Sequence, residues 1–257
     1  MKIILSVISV IFHNNKLWAI PFIIIRAVFY VFYQRITGKI ISKKTFNGKQ
    51  IFLFPFCPVS SMFYYVPIPD KEEIALLRKY AEDNTVFIDI GANIGSYSIL
   101  LMDVVRDIIA FEPHPLTASR CKMNFLLNGY DEGKVKQIAL SDVSSSVNFS
   151  DLGNGSSVNR IIPDEQNGII VEAKTLDSFF DNITDNVANN YLIKIDVEGF
   201  ELNVINGASR FFSSHIIRGI IFESFDDKIT EVKSALSQQG FKISKISVNN
   251  YFAQKIN

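Results

Sequence analysis

The chain has 257 residues, 48% of them hydrophobic, enough for one large α/β core and too apolar for global disorder. Lys+Arg and Asp+Glu balance at 26 each, so composition alone offers no field to gather nucleic acid. Two cysteines, Cys57 and Cys121, lack CxxC spacing and argue against a disulfide scaffold or a zinc site.

In chain order, the N-terminus is the compositional outlier. Ile3 to Phe12 is almost wholly apolar, and Leu17 to Phe32 is apolar apart from Pro21 and Arg26. Neither run reaches the roughly 20 residues that span a bilayer. No small-x-small cleavage site follows the first run. Two readings stand side by side. One is a pair of helices packed as a cap. The other is a segment in a membrane interface, with Arg26, Arg35, Lys39, Lys43 and Lys44 meeting lipid phosphates. The division expected is residues 1–69 as a cap or membrane-surface segment and 70–257 as the main domain. Any membrane contact runs through residues 1–44. The expected location is cytoplasmic, or peripheral at the inner face of the membrane.

Residues 45–69 mix aromatics with prolines, which predicts short strands and turns. Asp70 is placed to cap a helix over Lys71–Tyr80, with acids in its first turn and bases in its last. From Val86 the pattern alternates strand and helix. Strands are predicted at 86–90, 108–112, 135–140, 191–196 and 217–223, each a short apolar run suited to burial on both faces. Helices are predicted at Ile94–Val105, Pro115–Asn128, Leu202–Phe212 and Asp227–Gln239. Ser144–Phe149 and Ile169–Ala173 read as a hairpin insertion around the polar stretch Leu152–Gly168. Phe241–Ile246 and Tyr251–Gln254 read as a terminal hairpin. The expected fold is α/β: a doubly wound, mostly parallel, Rossmann-like sheet with a C-terminal antiparallel hairpin and an N-terminal helical/β cap. Its ligand site lies beyond the carboxyl ends of the strands.

The chemistry gathers at those strand ends. Val86–Gly95 is an apolar run that closes on Asp89 and then turns on Gly91 and Gly95. Gly91 permits a tight turn and close ligand contact with the backbone; Gly95 lets the next helix pack close to the strand. The spacing is G-x-x-x-G, with Ala92-Asn93 where a dinucleotide loop carries its middle glycine. A ligand without a pyrophosphate suits it better. Glu112 ends the second strand, 17 residues after Gly95, and can accept two hydrogen bonds from ribose hydroxyls. Ser141-Asp142 ends the third, where Asp142 can accept from an adenine amino group. Lys194-Ile-Asp-Val-Glu-Gly-Phe-Glu201 sets Lys194, Asp196 and Glu198 on one strand face. They form either a mutually paired cluster or the acids that a cationic reactant and a proton-abstraction step require.

Together, Phe87–Gly95, Phe111-Glu-Pro113, Ala139-Leu-Ser-Asp142, Lys194–Gly199 and Ile220-Ile-Phe-Glu223 resemble the FkbM family of S-adenosylmethionine-dependent methyltransferases. The resemblance covers roughly residues 70–225. It implies S-adenosylmethionine as cofactor and O-methylation of a hydroxyl on a sugar, a polysaccharide precursor or another small hydroxylated metabolite. It implies Asp89, Gly91 and Asn93 at the methionine end, Glu112 at the ribose, Asp142 near adenine, and Asp196 and Glu198 where donor and acceptor meet. The cofactor set is thus Asp89, Gly91, Asn93, Gly95, Glu112, Ser141, Asp142 and Asp196. Asp196 or Glu198 is the expected base or orienter, with His114 an alternative base. No His/carboxylate spacing demands a metal, and none is assigned. The expected partner is a small-molecule or glycan acceptor, not nucleic acid. The competing readings are an NAD-dependent oxidoreductase and a methyltransferase acting on protein or lipid.

Overall fold

The structure, a computed structural model, describes residues 19–153, 159–163, 168–181, 190–225 and 228–256. The expectation for Ile3–Phe12, the tip of the 152–168 insertion and the helix start at Asp227 fall outside the described residues.

Seven strands form the main sheet: β3 (Thr85–Ile90), β4 (Asp107–Phe111), β5 (Val135–Lys136), β9 (Asn190–Ile195), β10 (Ile216–Glu223), β11 (Phe241–Lys245) and β12 (Asn250–Lys255). Their order is β11-β12-β10-β9-β3-β4-β5. β3, β4, β5, β9 and β10 are parallel, while β12 runs antiparallel to both β10 and β11. The sequence order reverses between β3 and β9, which is where a doubly wound sheet opens a crevice.

Every residue of β3 and β9 is buried, as apolar runs without alternation require. Side chains of β3 divide between the two faces: Phe87 joins a core with Leu100, Phe125 and Phe252, while Ile88 and Ile90 join one with Ile195, Val204 and Phe211. α3 (Lys71–Tyr80), α4 (Ser96–Leu101) and α5 (Pro115–Leu127) supply the first core. α6 (Leu176–Phe180), α7 (Glu201–Asn206), α8 (Ser209–Ser214) and α9 (Ile229–Gln238) supply the second.

Several expectations need correction. The strand predicted at 135–140 is two strands in two sheets. β5 makes only two pairings with β4 before the chain leaves the sheet edge, and β6 (Ala139–Leu140) then pairs with β8 (Ile169–Lys174) beside β7 (Ser145–Phe149). The helix predicted at 202–212 breaks at Gly207, where a Cβ would stand 2.0 Å from the Ser141 carbonyl oxygen. The helix predicted at 94–105 is only Ser96–Leu101, because Asn93 and Gly95 take left-handed conformations that delay its start. Asp70 precedes α3 but does not cap it. Its φ of 48° turns the carboxylate away, toward the Tyr97 hydroxyl.

The N-terminal region is one helix followed by a hairpin and a short helix. α1 (Ile20–Thr37) carries Pro21 in its first turn, where proline starts a helix instead of breaking one. β1 (Ile41–Lys44) and β2 (Gln50–Leu53) form a hairpin, and α2 (Pro58–Tyr65) is a helix where turns and strands were expected. Proline at its first position starts this helix too. Asn124 of α5 and Asn128 just past its end accept hydrogen bonds from the Phe52 and Gln50 amides at 2.8 Å, satisfying the open edge of β2. Ile51, Leu53 and Phe54 share the Leu100–Phe125 core. The insertion hairpin and the terminal hairpin form as predicted.

Candidate active site

A cavity of about 240 Å³ opens at the carboxyl ends of β3 and β9. Gly91, Asn93, Glu112, Asp196 and Glu198, all predicted site residues, line it. Around them stand Ile90, Phe111, Ile138, Leu140, Phe149 and Ile161, an apolar wall suited to a flat ring system.

The loop after β3 is shaped by contact with β9. Gly91 has φ 76°, and a Cβ there would fall 1.8 Å from the Asp196 carbonyl oxygen. Glycine is therefore demanded by neighbouring backbone as well as by the turn. Asn93 is left-handed, and its Oδ1 accepts the Ile94 amide at 2.9 Å. Gly95 differs from expectation: its missing Cβ makes room for Cys121 and Phe125 of α5, not for the strand. Asp89 is buried and does not line the cavity. Its Oδ2 accepts from the Ser98 hydroxyl at 2.7 Å and amide at 3.2 Å, and its Oδ1 is buried without a partner.

Glu112 is buried at the cavity wall. Its two oxygens accept the Asn93 amide at 2.9 Å and the His114 amide at 3.0 Å. Burial pushes its carboxyl up to about 7, against those two hydrogen bonds. Each oxygen keeps a lone pair for a hydroxyl donor.

Lys194 is 7% exposed, and Asp196 at 2.8 Å answers its charge. The ammonium also stands 4.6 Å from the Tyr97 ring centroid. Burial would lower the Lys194 pKa, but Asp196, Asp89 and Asp70 outweigh it and hold the ammonium above its ordinary value. The strand ends at Ile195, so the shared face holds for Lys194 and Asp196 only. Glu198 sits in a left-handed turn at φ 53°.

Asp196, Glu198 and Glu223 present carboxylate oxygens within 4.8 Å of one another. Burial, then the charges of Asp196 and Glu201, raise Glu198 to about 7. Burial, then Asp196 and Glu198, raise Glu223 to about 8. Carboxyl groups poised this near neutrality suit proton abstraction.

Five predicted residues lie apart from the cavity lining: Asp89 and Gly95, already placed, and His114, Ser141 and Asp142. His114 is buried, with Nε2 3.3 Å from Asp151 and Nδ1 unpartnered. Ser141 bonds Asp142 at 3.0 Å, and Asp142 accepts from Asn203 of α7 at 3.1 Å, so this pair faces α7. The cavity is instead reached by the preceding Ile138, Ala139 and Leu140. Glu223, Tyr97 and Asp70 were not singled out as site residues from sequence. For Glu223 a signal existed: an acid closing an apolar strand, as Asp89 and Glu112 do. Asp70 and Tyr97 sit in ordinary helical contexts and carry none.

A second opening lies beside the first, lined by Arg160, Ile161, Glu198, Gly199, Phe200, Phe225 and Lys228. Glu198, Ile161 and Phe200 belong to both.

The reversed strand order, the acid-rich cavity at the reversal and the antiparallel β12 define a class I, Rossmann-like methyltransferase architecture. The chain belongs to the FkbM methyltransferase family: the Methyltransferase FkbM domain matches residues 89–243, more than half its length. Methyltransferase sdnD of Sordaria araneosa is 25% identical over 196 residues, covering 63% of this chain and 75% of that protein. Hexuronic acid methyltransferase AglP of Haloferax volcanii is 28% identical over 149 residues, covering 56% and 59%. A putative methyltransferase from Streptococcus mutans, solved with SAH, superposes with a TM-score of 0.46 at 9% identity, over 73% of this chain and 98% of that one. The protein is thus a methyltransferase, and the oxidoreductase reading falls.

Proposed function

We propose that this protein is an S-adenosylmethionine-dependent O-methyltransferase acting on a hydroxyl of a sugar or saccharide precursor. One observation carries the reading: Glu198, with a carboxyl raised to about 7, borders both openings. A cofactor on one side and an acceptor on the other would meet beside it.

The donor set fits the cofactor. Asp70, Glu112, Asp196 and Glu198 oppose the single Lys194 among the charged groups lining the main cavity, which favours a cation. The spare lone pairs of Glu112 suit ribose hydroxyls, and Phe111, Ile138, Leu140 and Phe149 suit an adenine face. When bound, S-adenosylmethionine supplies an electrophilic methyl group on a sulfonium. The chain's own contribution is alignment and proton removal. Lys194 fixes the Asp196 carboxylate through their 2.8 Å contact. Glu198 or Asp196 receives the acceptor's hydroxyl proton as its oxygen takes the methyl group.

Support for a saccharide comes from the second opening, where Phe200 and Phe225 offer apolar faces and Arg160 and Lys228 offer donors. The similarity to a hexuronic acid methyltransferase points the same way. The test is incubation with methyl-labelled S-adenosylmethionine and a panel of sugar nucleotides and glycolipids. Base-stable label on a saccharide hydroxyl is expected. Label appearing only on protein, or only as a base-labile ester, would overturn the reading.

A further inference from the structure

We infer that α1 docks the protein on an anionic lipid bilayer, lying along its surface. The helix carries large apolar side chains on both its inner and outer sides, interrupted by Arg26, Gln34 and Arg35. Ile20, Ile23, Ala27, Tyr30 and Gln34 form the stripe toward the protein, with Tyr30 stacked on Tyr64 at 4.3 Å between centroids. Phe22, Ile25, Phe29, Phe32 and Ile36 repeat the same spacing two residues on, about 200° round the helix. This second stripe faces outward, with Phe22 67%, Phe29 69% and Ile36 67% exposed. A helix with an apolar stripe on its outer as well as its inner side needs cover on both.

Charge decides what covers it. Residues 1–69 contain Lys2, Lys16, Arg26, Arg35, Lys39, Lys43, Lys44 and Lys49, and no Asp or Glu. Eight of the 26 bases and none of the 26 acids lie there, leaving 18 bases and 26 acids in residues 70–257. Arg35, Lys39 and Lys44 stand exposed at and just beyond the helix's C-terminal end. A second copy of this face would set cations against cations across a two-fold contact. Residues 1–18, folded back over it, carry no carboxylate to answer them. Lipid phosphates supply both the countercharge and, with their acyl chains, the apolar cover.

Orientation follows from packing. α1 is the one helix among the described residues long and apolar enough, by length and composition, to cross a membrane. At 18 residues it is about 27 Å long, near the ~30 Å of a hydrocarbon core. Yet its inner stripe is committed to α2, and Arg26 sits 5.1 Å from the Tyr64 ring centroid. A helix so attached lies in the interface plane. α2 carries Val59 and Met62 in the cavity wall and Tyr64 and Tyr65 against Tyr30, so the bilayer lies one helix away from the active site.

The experiment is flotation of the full chain with phosphatidylcholine vesicles and with vesicles containing phosphatidylglycerol, at low and high salt. Binding to the anionic vesicles is expected, at least tenfold stronger than to the zwitterionic ones at low salt, the difference closing as salt rises. Arg35→Gln/Lys39→Gln/Lys44→Gln together should lower partition on anionic vesicles about a hundredfold, at roughly fivefold per base. Phe22→Ser/Phe29→Ser/Phe32→Ser should abolish binding to both. A full chain left unbound by either vesicle, whether monomeric with residues 1–18 folded over α1 or dimeric through α1, overturns the inference.

Discussion

The Lys194 ammonium lies 2.8 Å from the Asp196 carboxylate at the end of β9, with the Asp89 carboxylate buried in the same neighbourhood. Lys194 is buried, while Asp196 reaches the cavity and is about a third exposed. The lysine therefore serves two acids, one structural and one facing ligand. Lys194→Met should destabilise the fold by about 2–3 kcal/mol, the lower end of a broken buried pair because water screens the Asp196 side. Chemical denaturation at neutral pH measures it. Asp196→Asn keeps an oxygen toward Lys194, so it should cost less stability but lower kcat. An unchanged midpoint for Lys194→Met would show that water answers those acids.

The carboxyl groups raised toward neutrality set a pH profile. Glu198 at about 7 and Glu223 at about 8 are mostly protonated at pH 6. A base must be unprotonated, so kcat/KM should climb between about pH 6 and 8. Asp196→Asn removes a negative neighbour from Glu198. The ascending limb should then move to lower pH, since loss of like charge makes the remaining carboxyl easier to ionise. A limb that stays in place would show that Asp196 does not hold the Glu198 carboxyl near neutrality.

Glu112 couples stability to pH with the opposite sense from an ordinary salt-bridged acid. Its folded value, about 7, lies above its ordinary 4.5, so the folded state holds a proton that the unfolded chain releases. That stabilisation is present below about pH 4.5 and is lost as pH rises through about 7, up to ~3 kcal/mol from this group. Glu112→Gln should flatten the slope in denaturation midpoints between those limits. It should also weaken S-adenosylmethionine binding by calorimetry, because one acceptor oxygen is gone.

Two glycines with similar backbones should respond differently to alanine. Gly91 at φ 76° has the Asp196 carbonyl oxygen 1.8 Å from where a Cβ would sit; Gly129 at φ 73° has open space. Gly129→Ala bears only the left-handed penalty, about 1–2 kcal/mol. Gly91→Ala must also push β3 from β9, so it should cost more and abolish turnover. Equal melting temperatures for the two variants would count against this close approach.

Local patterns made much of the fold legible. Apolar runs named β3, β4, β9 and β10 to within a residue at either end, because burial on both faces leaves no other composition. The strand-closing acids Asp89, Glu112 and Asp196 were visible for the same reason: a carboxylate at the end of a buried run is conspicuous. The two hairpins followed from alternation. Errors arose where a neighbour distant in sequence set the geometry. Gly207 breaks a helix because the Ser141 carbonyl lies against it, and Asp70 forgoes its cap to face Tyr97.

Sequence by itself determined the doubly wound sheet, the strand-end acids and the family, since these rest on periodicity and short motifs read along one stretch of chain. Only the tertiary structure decided which acids meet. Glu223 joins Asp196 and Glu198 because β10 lies beside β9, whereas Asp142 turns to Asn203 because the chain leaves the sheet after β5. Carboxyl values near neutrality likewise come from burial and from like charges brought together by parallel pairing. Such proximity depends on strand order, which no local pattern encodes.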